Sequence, residues 1–83
     1  MFAFWHKFRK AKKAQQSLRA AFKNRGQNFM TMESSVHEAL VKEAIVTGVE
    51  ATMQHFSRIE AASLGRVDYI IEHYKERSRR FDR

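Results

Sequence analysis

Four histidines, nine carboxylates and no cysteine are the side chains of this 83-residue chain that could ligate a metal or move a proton. His37, His55 and His73 stand eighteen residues apart. Eighteen residues are five helical turns, so on one straight helix the three imidazoles share a face. Successive ones then lie about 27 Å apart, too far to share a metal ion. Only a chain folded back near Gly65 brings His55 and His73 together, and neither follows a carboxylate at the three-residue spacing of helical-bundle metal sites. The expectation is therefore no metal and no cofactor, with the histidines at surfaces or interfaces. Catalysis is expected to be absent too. There is no thiol, the serines sit at caps or on helix faces without a glycine-rich elbow, and the three glycines are isolated, so no phosphate loop can form.

Charge is the stronger chemical signal. Residues 1–30 carry Lys7, Arg9, Lys10, Lys12, Lys13, Arg19, Lys23 and Arg25 without a single acid, a local charge of +8. Residues 31–63 amount to −3 and residues 64–83 to +2, for a net +7. A like-charged block joined to a mixed-charge body predicts an arm for an anionic partner, residues 1–30, on a helical assembly region, residues 31–83, within one structural unit. In the arm the bases are interleaved with Phe2, Phe4, Trp5, Phe8 and Phe22. Bases neutralise phosphates, and aromatic faces stack on exposed nucleobases. The same pattern suits an amphipathic helix over residues 2–22 lying in an anionic membrane surface. Trp5 and Leu18, thirteen residues apart, also match the anchors of a helix held in a protein groove. The run from Arg77 to Arg83 is a second basic cluster whose cations complement a helix C-terminus, with Arg79 and Arg80 in reach of Glu76 and Glu38 in reach of Lys42.

The elements that must position these groups are all helical. Eighty-three residues allow one small domain, and ten alanines without a proline favour helix over strand. No apolar run is long enough to span a membrane or to serve as a secretory signal. Phe4, Phe8, Leu18 and Phe22, with Ala11 and Gln15 between them, predict a basic amphipathic helix to about Asn24, stopped by Gly26. A loop over 24–32 follows. Ser35 with Glu38 has capping-box spacing, Thr31 being an alternative cap, and opens a second helix. Its stripe runs through Val41, Ile45, Val49, Thr52, Phe56, Ile59 and Ser63, with Glu43, Thr47, Glu50, Gln54, Ser57 and Arg58 on the opposite side. The stripe continues through Val67, Ile70, Tyr74 and Phe81 at a mean step of 3.6 residues. One long helix, continuous or kinked at Gly65, is predicted, about 45 residues and 70 Å in length. The alternative is a hairpin at Gly65.

A rod of that length exceeds what the first helix can cover. The uncovered stripe predicts self-association or docking through Ile45, Val49, Phe56, Ile59, Val67, Ile70 and Tyr74, as a short bundle or a coiled coil. The functional expectation is a non-enzymatic structural protein: a homo-oligomer or part of a larger assembly, attached to nucleic acid with little sequence discrimination. Trp5, Phe8 and the eight bases of the arm make the contact. A small nucleoprotein or virion component, intracellular or inside a nucleoprotein particle, fits this combination. The alternatives are a peripheral membrane protein using residues 2–22 and an adaptor whose first helix occupies a groove.

Overall fold

The computed structural model describes residues 2–82, with side chains from Arg9 to Asp82. Four α-helices follow one another: α1 over Phe2–Asn24, α2 over Ser34–Thr47, α3 over Val49–Ala62 and α4 over Val67–Phe81, with a 3-10 turn at Phe29–Thr31. There is no strand among the described residues, and the all-α expectation holds.

The long rod does not. The molecule measures 43 × 28 × 21 Å, far short of 70 Å, because the chain reverses twice within the predicted helix. The first break is Gly48, at φ 95° and ψ 156°, a region that essentially only glycine enters. Its N–H donates to Ala44 O, so α2 ends there. Its carbonyl accepts from Thr52 N and, at 2.7 Å, from Thr52 Oγ1, so α3 starts there. The second break is the hairpin at 63–66. Leu64 (φ 54°) and Gly65 (φ 73°) are both left-handed, and the Gly65 N–H caps Glu60 O at 2.9 Å.

The other helix ends follow simple chemistry. Gly26 closes α1 as expected, with Gln27 N–H donating to Phe22 O at 2.9 Å. Helix α2 starts one residue earlier than Ser35, and its cap is Glu33, whose carboxylate accepts from Ser35 N at 2.9 Å and from the Ser35 hydroxyl. The Ser35–Glu38 capping box is therefore not used, because Glu33 stands next to the free amides and a carboxylate is the stronger acceptor. Thr31 lies in the 3-10 turn, its hydroxyl donating to Asn28 O.

Helix α2 is the centre of the molecule and packs on α1, α3 and α4. Val36, Ala39, Leu40, Val41, Glu43 and Ala44 are all buried, so it is covered on most of its circumference. Helix α1 contributes Ala14, Leu18 and Phe22, one turn apart, the 3-10 turn Phe29, α3 Phe56, and α4 Ile70 and Tyr74. The rings form a connected series across the core. Phe29 stacks on Phe22 at 5.7 Å, Phe22 meets Phe56 edge-on at 5.0 Å, and Phe56 stacks on Tyr74 at 5.9 Å. His37 of α2 extends it, 4.1 Å from Phe29.

Gly48→Ala separates the two folds by the sign of its effect. In an unbroken helix the alanine would stabilise by about 1 kcal/mol. In this fold a Cβ meets no atom, but the backbone conformation is hostile to an L side chain, and a loss of roughly 1–3 kcal/mol in urea unfolding is expected.

Candidate nucleic-acid interface

Helix α1 turns one side to the core and the other to solvent. At 100° per residue, Arg9, Lys12, Lys13, Arg19 and Lys23 fall in an arc of about 120°, roughly opposite Ala14, Leu18 and Phe22. All five bases are exposed, while Leu18 and Phe22 are 0% exposed. Lys12, Lys13, Arg19 and Lys23 pair with no acid among the described residues. From Lys12 to Lys23 the ridge is about 17 Å long. Arg19 and Lys23 also line a hollow of about 380 Å³ with the Gly26–Phe29 segment.

The remaining predicted arm residues divide into three groups. Lys10 is exposed on the flank of α1, lining a hollow of about 300 Å³ with Ala44, Ile45 and Val49. Arg25 is structural: it pairs with Glu60 and lays its guanidinium over the Phe22 and Phe56 rings, 5.8 and 5.6 Å from their centroids. The side chains of Trp5, Lys7 and Phe8 lie outside the described residues.

The predicted assembly stripe is divided between interior and surface. Phe56, Ile70 and Tyr74 are buried in this chain's own core, and Val49 and Ile59 are packed against it, half-buried. Ile45 and Val67 remain exposed. The stripe that a rod would leave bare is in large part covered by the chain folding back on itself. Glu43, placed by periodicity on the solvent side of its helix, is 2% exposed because α4 packs over that side. Its carboxylate accepts from Arg77 Nε at 2.6 Å. The pairs Glu38–Lys42 (3.1 Å) and Glu76–Arg79 (3.4 Å) form as their spacing indicates. Lys42 also bonds Asp82, and that carboxylate, ahead of Glu38, holds its ammonium above the ordinary lysine range.

A polar cluster sits at the seam of α3 and α4, beside the Glu43–Arg77 pair. The hairpin brings His55 Nε2 to 3.1 Å from His73 Nε2, and Tyr74 meets both imidazoles edge-on. Burial holds both histidines below the ordinary imidazole range. The Arg77 charge adds to this at His55, and the neighbouring His55 followed by Arg77 add to it at His73; Glu43 opposes at both. Burial, then Glu43, pushes the Tyr74 hydroxyl up, and that hydroxyl finds no hydrogen-bond partner among the described residues. No three histidines, acids or cysteines gather as a metal ligand set among the described residues. Nor is any helix there long and apolar enough to cross a membrane. Sequence spacing points to the histidine pair through the Gly65 hairpin, but nothing in it marks Glu43 as a buried partner.

No family model, curated protein or solved structure matches the chain.

Two outcomes follow from the cluster. Arg77→Leu leaves the Glu43 carboxylate buried and unpaired, at an expected cost of about 2–4 kcal/mol in urea unfolding, while adding Glu43→Leu recovers much of it. A double variant less stable than the single one counts against the pair. The histidines resist protonation in the fold but take protons freely when unfolded. Their contribution is therefore complete above about pH 6.5 and declines as pH falls below that. In metal-free buffer, unfolding free energy between pH 7 and 5 should fall with pH, and His73→Gln should flatten the decline.

Proposed function

We propose that the protein is a non-catalytic nucleic-acid-binding module that grips phosphates with the outer face of α1 and reads little or no base sequence. The observation that carries this is the ridge of unpaired, exposed Lys12, Lys13, Arg19 and Lys23 on a helix whose opposite side is anchored in the core. A row of cations on a fixed helix suits a regular array of phosphates, since contacts to the backbone hold position without discriminating bases. Electrostatic recruitment is aided by the net charge of +7.

The nucleic-acid reading is favoured over the two other uses of the first helix by the fate of its apolar side. A helix lying in a membrane over residues 2–22 needs Leu18 and Phe22 for the lipid, and a groove-bound helix anchored at Trp5 and Leu18 needs Leu18 for its partner. Both residues are 0% exposed here, so either use requires α1 to leave the core. Assembly along the nucleic acid would draw on apolar residues left at the surface, Ile45 and Val46 on α2 and Val67 and Tyr69 on α4.

Binding of a DNA duplex, a structured RNA and a single strand, each followed across salt concentrations, tests the proposal. Four phosphate contacts imply a log–log salt slope of about −3 to −4 on duplex DNA. Replacing Lys12, Lys13, Arg19 and Lys23 with glutamine should weaken binding to unrelated sequences alike and flatten the slope, with helicity unchanged. Full affinity in that variant, or binding to anionic vesicles with none to nucleic acid, overturns it.

A further inference from the structure

The pair of imidazoles where α3 meets α4 has a geometry that the phosphate-binding reading does not use. His55 and His73 come from the two arms of the 63–66 hairpin, and the atoms that approach are the two Nε2 nitrogens, 3.1 Å apart, with ring planes tilted by 37°. A cation bound to two imidazoles at about 2.0–2.1 Å sets their nitrogens about 2.9 Å apart in square-planar and about 3.3 Å apart in tetrahedral coordination. The observed separation falls between these values, so a metal requires a shift of a few tenths of an ångström.

We infer that His55 and His73 form a two-imidazole chelate for an exchangeable divalent cation of the nickel–copper–zinc class, closing the α3–α4 hairpin. Imidazole ligands select this class over magnesium or calcium, which take oxygen donors. Both side chains are half-buried, so solvent reaches the pair and water fills the remaining coordination positions. The fold keeps both imidazoles neutral, the form that offers a lone pair, so little proton release opposes binding near pH 7.

The surrounding charges set the strength. Glu43 of α2 favours a cation, whereas Arg77 and Arg80 of α4 and Arg58 of α3 oppose it. With two protein ligands and that balance, the site exchanges metal with solution and does not retain it through chelation by a strong competitor. The remaining hydrogen-bonding arrangement is the metal-free state, in which one Nε2–H donates to the other ring's lone pair. On metal binding the donating ring moves its proton from Nε2 to Nδ1 through solvent and stays neutral, so that both Nε2 lone pairs face the cation.

Thermal unfolding of the full chain at pH 7.5, after chelator treatment and with Zn²⁺ in several-fold excess, tests the site. The midpoint should rise with Zn²⁺ and not with Mg²⁺, because a ligand bound only by the folded state stabilises it. His55→Ala and His73→Ala should each abolish the rise, and His37→Ala should leave it intact. Far-UV circular dichroism without metal establishes that the variants fold. Where one of them does not, side-chain NMR of the unsubstituted protein decides instead, with the His55 and His73 imidazole resonances expected to move together on adding Zn²⁺. An unmoved midpoint, a rise that survives in folded His55→Ala, or resonance shifts confined to His37 or His6 overturn the inference.

Discussion

The fold depends on burying Phe22 between Phe29 and Phe56. Phe22 is the last large apolar residue of α1, Phe29 belongs to the 3-10 turn and Phe56 to the middle of α3. All three are 4% exposed or less, and one fully buried phenylalanine contributes roughly 1.5–3 kcal/mol over an exposed one. The contact therefore ties three segments together with a substantial share of what so small a domain can gather. Arg25 closes this contact on the outside, its guanidinium over two of the rings and its charge satisfied by Glu60. Gln27 reaches the same carboxylate from the other side, so Glu60 fastens the loop after α1 to α3.

That anchoring is what makes the outer face of α1 a fixed surface. A basic helix on its own distributes its cations around a mobile cylinder and loses conformational entropy on meeting a phosphate array. Held by Ala14, Leu18 and Phe22, the same helix presents Lys12, Lys13, Arg19 and Lys23 in a set order, and under the proposed phosphate-binding function that order would lower the ordering cost of binding. The absence of acids in α1 matters for the same reason: no carboxylate on that helix competes for its lysines.

Helix type and the core side of α1 were legible from spacing, since Leu18 and Phe22 repeat at the helical period. The end of α1 at Gly26 was legible because its turn needs a left-handed residue. The course of the chain after Thr47 was not. A stripe that keeps phase from Val41 to Phe81 reports only that each helix buries one side. It is equally consistent with one rod or with three helices folded around a shared centre, because the phase is set locally and each reversal returns the apolar side to that centre. Gly48 sits inside the stripe flanked by Thr47 and Val49, with no proline or polar cluster to mark a turn. Its effect becomes visible only once Thr52 is seen to cap its carbonyl. Glu43 was misplaced for a related reason. Periodicity assigns one buried side to a helix, and α2, lying between three others, has more than one. Of the candidate contacts, the exposed bases were legible as a group, but Arg25 was inseparable from them until its aromatic partners were in view.

The polar cluster at the α3–α4 seam shows how such a core tolerates charge. Glu43 is nearly inaccessible, and leaving it unpaired would cost far more than its hydrogen bond returns, so Arg77 must reach it across the interface. That pairing brings a guanidinium to the side of α4 that carries His73 and Tyr74. Partial burial and the nearby guanidinium groups, Arg77 at both rings with Arg58 at His55 and Arg80 at His73, outweigh Glu43 and hold both imidazoles below their ordinary range. Two neutral imidazoles in contact satisfy each other with a single shared hydrogen bond. The hairpin then needs no apolar residue at either position, and α3 and α4 can meet through polar groups where the aromatic series ends at Tyr74.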